Sequence, residues 1–409
     1  MTPYLQQRAL LFQPLPRKPS SQLGMVIVIP ACRDTQLLLC LMALQRCALP
    51  NGDVDIIVIV HDSETDAPEL RALNLSIAAD AERWAARINN TRRWFHIVYH
   101  CEMPRRDAGP DLARKIGMDE ACRRLEQAGN PQGIIACLTS ESRCAPNFLV
   151  ELERHFQLHP QCPACSIYFE YPLNGAEHSA ETYRAVANHE LSLRYFVEVQ
   201  RYAGYPYAFH TQAPGMALRC DAYEQSGGMY IRPVEEGSTF LNKFTDSPYF
   251  LPLNTTCIYI SPPHHKHGIN SAGQSPVADK KRRLKTHAFQ TFEDLRQLFQ
   301  NAHRLYDQNY DQLLLPEVLL DFCEEVNAWS KISELRHIAE DTSAFKRLFF
   351  AWFNHQIIKQ FALFARDHYY PDIPLTNACE ALLTAQGASV EMEPSAMLRF
   401  LRLRDRNLA

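Results

Sequence analysis

Four short apolar runs constrain this chain most. They are residues 24–29 (Gly-Met-Val-Ile-Val-Ile), 55–60 (Asp-Ile-Ile-Val-Ile-Val), 94–99 (Trp-Phe-His-Ile-Val-Tyr) and 133–138 (Gly-Ile-Ile-Ala-Cys-Leu). The first two are continuously apolar and rich in β-branched residues, which predicts strands buried on both faces of a parallel sheet. Helical patterns separate the four runs, over 34–46, 68–89 and 111–127. The β-α-β-α-β-α-β order predicts an α/β fold with a mainly parallel sheet, helices on both faces and right-handed crossovers.

The first run is stopped by Pro30, and two others end in polar loops. The second leads into His61-Asp62-Ser63-Glu64-Thr65-Asp66 and the fourth into Thr139-Ser140-Glu141-Ser142. Pro146 then opens a further helix, consistent with proline in a first turn. A buried strand that stops in a polar loop and turns into a helix puts that loop at the carboxyl edge of the sheet, where open α/β sheets bind ligands.

Further along, 165–171 reads as a strand and 181–202 as a long aromatic helix. Ala213 to Arg219, a helical turn and Ser226-Gly227-Gly228-Met229 follow. The acidic pair Glu235-Glu236 leads into a helix over 239–244, and a strand over 255–261 into Pro262-Pro263-His264-His265-Lys266-His267. A basic run, Lys280-Lys281-Arg282-Arg283, marks a boundary. Beyond it Leu and Phe recur at helical spacing over 292–306, 316–327, 332–340, 344–367 and 375–386. At 409 residues the chain is too long for one comfortable core. The expected organisation is an N-terminal extension over 1–23, an α/β domain over 24–275 and an all-helical domain over 276–409.

Composition narrows the partners. A net charge of -4 gives no global attraction to nucleic acid or an anionic membrane. No apolar run approaches the ~18 residues of a membrane span. The 13 cysteines are odd in number and lie mostly in apolar runs, the pattern of reduced buried thiols in a cytoplasmic protein. Cys162-Pro-Ala-Cys165 is a lone CxxC, read as structural because no second pair stands at zinc spacing. The aromatic residues over 183–207 read as core rather than as a sugar-stacking groove.

Taken in order, these features resemble the family 2 glycosyltransferases of the GT-A fold, in particular a bacterial branch with a helical C-terminal extension. The family's opening strand ends in Pro-Ala-x-Asn-Glu, and here stand Pro30-Ala31-Cys32-Arg33-Asp34. Its Gly-x-Gly-x-Ala-Arg-Lys segment is matched by Gly109-Pro110-Asp111-Leu112-Ala113-Arg114-Lys115. Its Leu-Asp-Ala-Asp with Pro-Asn-Tyr-Leu is matched by Leu138-Thr139-Ser140-Glu141 with Pro146-Asn147-Phe148-Leu149. Its Gly-Gly-Met before Glu-Asp is matched by Gly227-Gly228-Met229 before Glu235-Glu236-Gly237.

The resemblance covers roughly 24–275 and implies transfer of a sugar from a nucleotide-diphosphate donor to a saccharide or lipid-linked acceptor, in polysaccharide or glycoconjugate synthesis. It implies a divalent metal, Mn2+ or Mg2+, near Glu141, joined by His265 and His267 where many GT-A enzymes carry a late histidine. It implies Glu236, or Glu235, as catalytic base. Pro30, Ala31, Asp34, Asp62, Gly109, Arg114, Thr139 and Ser140 are implied as donor-binding residues. The first aspartate of the family's Asp-x-Asp is Thr139 here, the second is Glu141, and Gly237 replaces the aspartate of Glu-Asp. A non-catalytic GT-A protein that binds nucleotide or acts as a scaffold is therefore the alternative. The further expectations are peripheral association with the inner membrane face and a homo-oligomer formed through the helical domain.

Overall fold

The structure, a computed structural model, describes residues 2–11, 15–104, 108–211, 215–229, 240–262, 284–307, 313–391 and 393–407. The chain divides into two units. One comprises Met1–Val186, Thr211–Ala278 and Arg406–Ala409, and the other Ala187–His210 and Asp279–Asp405.

The first unit opens with α1 (Pro3–Gln7) and β1 (Leu23–Ala31), then α2 (Leu37–Arg46), β2 (Asp53–Ser63), α3 (Pro68–Ile88), β3 (Arg93–Met103) and α4 (Pro110–Gln127). It continues with β4 (Ile134–Cys137), β5 (Ser142–Cys144), α5 (Phe148–Leu158) and β6 (Ala164–Glu170), and the start of α6 (Ala180–Ala203). After α6 come β7 (Met216–Arg219), α7 (Cys220–Gln225) and β8 (Leu253–Ile260). The eight strands form one sheet in the order β3-β2-β1-β4-β7-β6-β8-β5. β1 to β4 run parallel, as does the β6–β8 pair, while β7 is antiparallel to both its neighbours and β5 to β8. The fold is α/β with a mainly parallel sheet.

Helices cover both faces, and the register shows which. Ile27 pairs with Ile56 and Ile56 with Phe95, so the three point to one side. Trp84 of α3 stacks edge-on against Phe95, with ring centroids 5.1 Å apart. Val28 and Ile59 point to the other side, and α4 lies there with Gly117 over them. The chain runs from β1 out to β3, then returns past β1 to β4, so a right-handed crossover must put α4 on the face opposite α3.

Gly117 shows how tight that packing is. A Cβ there would stand 2.4 Å from Cγ1 of Val28, a residue with no exposed surface. Helix propensity alone favours Gly→Ala by ~1 kcal/mol. Overpacking costs ~1–3 kcal/mol. We expect Gly117→Ala to lower stability in urea or thermal denaturation, against the propensity scale.

Helix α4 is buried from Leu112 to Leu125 despite its charges. Arg124 is fully buried and pairs with Asp55 of β2 at 2.6 Å, while its Nη1 donates to the carbonyl of Arg17 at 2.9 Å. His96 of β3 places Nε2 3.6 Å from the same carboxylate. The N-terminal residues, expected to form a surface extension, also enter the core. Tyr4 and Leu5 are buried, and the Tyr4 hydroxyl donates to Asp119 of α4 at 2.5 Å.

The second unit holds the rest of α6, the antiparallel pair β9 (Lys285–Thr286) and β10 (Ile373–Pro374), α8 (Phe289–Gln300), α9 (Glu317–Glu325), α10 (Ala328–Ile338), α11 (Thr342–Trp352), α12 (His355–His368), α13 (Leu375–Ala385) and α14 (Pro394–Arg406), whose last residue falls to the first unit. Phe292, Phe322, Phe345, Phe349, Phe353 and Phe361 are fully buried in it. The helix expected over 344–367 is two helices. Asn354 breaks it, its side-chain oxygen capping α12 through the backbone N–H groups of Gln356 and Ile357.

Candidate functional site

The strand order reverses direction between β1 and β4, so their carboxyl ends flank a crevice at the topological switch point. Val28 pairs with Cys137, and Leu138 N–H still donates to the Val28 carbonyl at 3.0 Å. The segments after Ala31 and after Cys137 therefore leave the sheet side by side. Pro30 fits here for a reason of hydrogen bonding. It lies two residues beyond Val28 and so faces the β4 side, where β4 has already ended and no ladder donor is needed.

After β1, Arg33 takes a left-handed backbone conformation with φ 57°, which is uncommon for a side-chain-bearing residue. It is held there from α3. Its N–H donates to Oδ1 of the fully buried Asn74 at 2.6 Å, and its guanidinium pairs with Asp66 at 2.5 Å. Asn74 also donates to the carbonyl of His61 at 3.0 Å, so one side chain ties the ends of β1 and β2 together. The turn presents Asp34. Its Oδ1 accepts the Gln36 N–H at 2.8 Å, while its Oδ2 is buried without a hydrogen-bond partner. The side-chain oxygen of Gln36 is likewise buried and unpartnered.

After β4, the loop doubles back at once. Ser142 N–H donates to the Thr139 carbonyl at 3.0 Å, and β5 then pairs with β8. Ser261 N–H holds the Glu141 carbonyl at 3.0 Å. Thr139 and Ser140 are buried, and the Thr139 hydroxyl shares a hydrogen bond of 2.7 Å with the Ser142 hydroxyl. The Glu141 side chain is half-buried. Burial pushes its pKa up to about 7, and the Asp34 charge adds to the rise, while its own backbone N–H and the Thr139 hydroxyl pull the other way. Asp34 is thus close enough for its charge to act on the Glu141 carboxyl, and it carries a bare buried oxygen of its own.

Helix α4 starts on this same edge, because it follows the carboxyl end of β3. Gly109 is its N-cap residue, and its carbonyl accepts the Ala113 N–H at 3.2 Å. Arg114 is buried, pairs with Asp111 at 2.6 Å and lies beside the Cys137 thiol at the end of β4. Lys115 points elsewhere, into a buried cluster with Tyr4 and Asp119. Asp62 is nearly fully buried, and both its oxygens are engaged by β3. Oδ1 accepts the Glu102 N–H at 2.6 Å and Oδ2 the Tyr99 hydroxyl. Next to it, His61 carries a buried Nε2 without a hydrogen-bond partner, and burial lowers its pKa to about 4.

The fold therefore gathers Pro30, Ala31, Asp34, Arg114, Thr139, Ser140 and Glu141 around the ends of β1 and β4. Asp62 stands one strand away with its carboxylate turned to β3. Glu235, Glu236, His265 and His267 lie outside the described residues. Asn74 and Gln36 were not anticipated. Each is a lone amide in a helical stretch, and only the neighbouring strand ends give it a role.

No protein-family model and no curated protein matches the chain. Among solved structures it is similar to S. aureus TarS residues 1–349 in complex with UDP-GlcNAc, at 10% identity over 94% of this chain and 89% of that one, with a TM-score of 0.39. It is also similar to the mannosyltransferase PcManGT from Pyrobaculum calidifontis in complex with GDP-Man and Mn2+, at 12% identity over 99% and 91%, with a TM-score of 0.37. Among the described residues no helix is long and apolar enough to cross a membrane.

Proposed function

We propose that this chain is a glycosyltransferase of the family 2, GT-A type, using a nucleotide-diphosphate sugar and a divalent metal. The observation that carries the reading is the pair Asp34 and Glu141 at the switch point. Two neighbouring carboxyl groups, one with a buried and unpartnered oxygen, are a donor set of the hard-oxygen kind that Mg2+ or Mn2+ would take. Mg2+ or Mn2+ bound there supplies charge neutralisation for a leaving diphosphate. The chain's own residues do the rest. The Arg114 guanidinium orients the diphosphate. Thr139, Ser140 and the β1 turn bind the donor. The acceptor oxygen forms its bond to the anomeric carbon as the bond to the diphosphate breaks, with inversion. The diphosphate leaves with the electron pair, and Glu236 or Glu235 takes the hydroxyl proton. His265 and His267 follow four and six residues after Ser261, the residue that holds Glu141, and would complete the metal shell. The acceptor is a saccharide or a lipid-linked sugar.

Thermal denaturation with UDP, GDP and related nucleotides tests this, with and without Mn2+. The expected result is a nucleotide-dependent rise in Tm that requires the metal and disappears in Glu141→Ala. No shift with any nucleotide in the presence of Mn2+ would sink the reading.

A further inference from the structure

About two turns along α4 from Arg114, three metal-ligating side chains converge. Cys122 lies on α4, and Cys220 and Glu224 lie on α7, and their ligand atoms all stand within 4.8 Å of one another. The spacing on α7 is i, i+4, which puts both side chains on one face of the helix. Cys220 Sγ approaches the Cys122 carbonyl at 4.0 Å, so the two thiols meet across the helix contact. The cysteines are fully buried, and Glu224 is half-buried with Oε1 accepting the Thr2 hydroxyl at 3.0 Å.

We propose that Cys122, Cys220 and Glu224 bind a thiophilic divalent cation, Zn2+, as a second metal site distinct in chemistry from the one at Glu141. Two thiolates and one carboxylate are a donor set for zinc rather than for Mg2+ or Mn2+, which prefer oxygen alone. Three protein ligands leave the fourth tetrahedral position to water, and the partly exposed Glu224 supplies the entry path. The surroundings favour a cation. Asp119 presses on Cys122, and Glu126 and Asp221 press on Glu224. Zinc binding forms two Zn–S bonds and releases the two thiol protons to solvent, which makes the affinity rise with pH. The bound ion would staple α7 to α4, the helix whose first turn carries Arg114.

The test uses the full chain, purified under reducing conditions and reconstituted with Zn2+ or Co2+. One equivalent of zinc is expected by elemental analysis, with thiolate-to-cobalt charge-transfer absorption in the Co2+ form and a Tm that falls on chelation. Cys220→Ser should lose both the stoichiometric metal and the charge-transfer band, while Cys323→Ser in the other unit keeps them. Glu224→Gln, at a half-exposed position, guards against a folding failure. It should keep the fold and bind Zn2+ at least ~10-fold more weakly, by analogy with the loss of supporting groups at zinc sites. Absence of the charge-transfer band in the folded parent protein overturns the proposal. So does zinc retained unchanged in both Cys220→Ser and Glu224→Gln, or a Cys122–Cys220 disulfide found in protein kept reduced.

Discussion

Glu141→Gln should separate stability from activity in opposite directions. In the folded protein the carboxyl holds its proton up to about pH 7, against an ordinary value of 4.5. As pH rises, the unfolded chain gives up this proton first. The native state then binds more protons than the unfolded state, so stability falls with pH across about 4.5 to 7 and levels off above that window. Glutamine has the same shape and never ionises. The metal-free variant should therefore melt higher than the parent at pH 8 and alike at pH 4. In the parent, Mn2+ should stabilise more at pH 8 than at pH 6, because the ion competes with the proton for Glu141; in Glu141→Gln that pH dependence should vanish. Sugar transfer should fall by ~10²-fold or more, the equivalent of losing a few kcal/mol of charge stabilisation in the transition state. Melting curves at pH 4, 6 and 8, with and without Mn2+, set beside product formation, check all three. A variant that melts lower than the parent at pH 8 would remove Glu141 from the crevice.

The largest expected effect on stability lies deeper, at Arg124→Met. This change leaves the Asp55 carboxylate buried with only His96 and the half-exposed Arg17, 3.9 Å away, for compensation. Burial alone would raise the Asp55 pKa, but the neighbouring His96 imidazole and the Arg124 guanidinium hold it below its ordinary value. Breaking a buried ion pair by removing one partner costs ~3–5 kcal/mol. Arg124→Met should lose that much in urea denaturation at neutral pH. The double variant Arg124→Met, Asp55→Leu should recover most of it, since replacing both charges with apolar groups removes the stranded one. If the double variant is no better than the single one, the cost lies in packing and not in the stranded charge.

The parallel half of the sheet could be read directly, because β1 and β2 are covered on both faces and therefore spell continuous apolar runs. β7 could not. Four residues, Met216 to Arg219, are too few to show a period, and they form a strand only because β4 and β6 lie open on either side. β5 is less legible still. Ser142-Arg143-Cys144 has a polar sequence, and its strand geometry comes from β8 passing alongside. Helix α4 misleads in the other direction. Its charges suggest a surface helix, yet Arg114, Lys115, Arg123 and Arg124 are each buried against a carboxylate. For the candidate site, the order of motifs singled out Asp34, Thr139, Ser140 and Glu141, and the fold places them at the ends of β1 and β4. The repulsion between Asp34 and Glu141 was invisible, since it arises from the adjacency of β1 and β4. The turning of Asp62 toward β3 was equally hidden, since the left-handed turn at Glu102 that delivers its N–H has no sequence mark.

The division of the chain has a consequence for how the molecule is made. Residues Ala187–His210 belong to the helical unit, yet the rest of that unit begins at Asp279. On a translating ribosome, at ~5–20 residues per second, this segment emerges and waits for seconds before its partners exist. Tyr195 and Phe196, which end against Phe292, spend that interval bare. Residues Arg406–Ala409 then return to the first unit, which is complete only once the helical unit has been made. Neither unit can be expressed alone by cutting the gene once, and chaperone demand during synthesis should concentrate on the stretch between the two crossings.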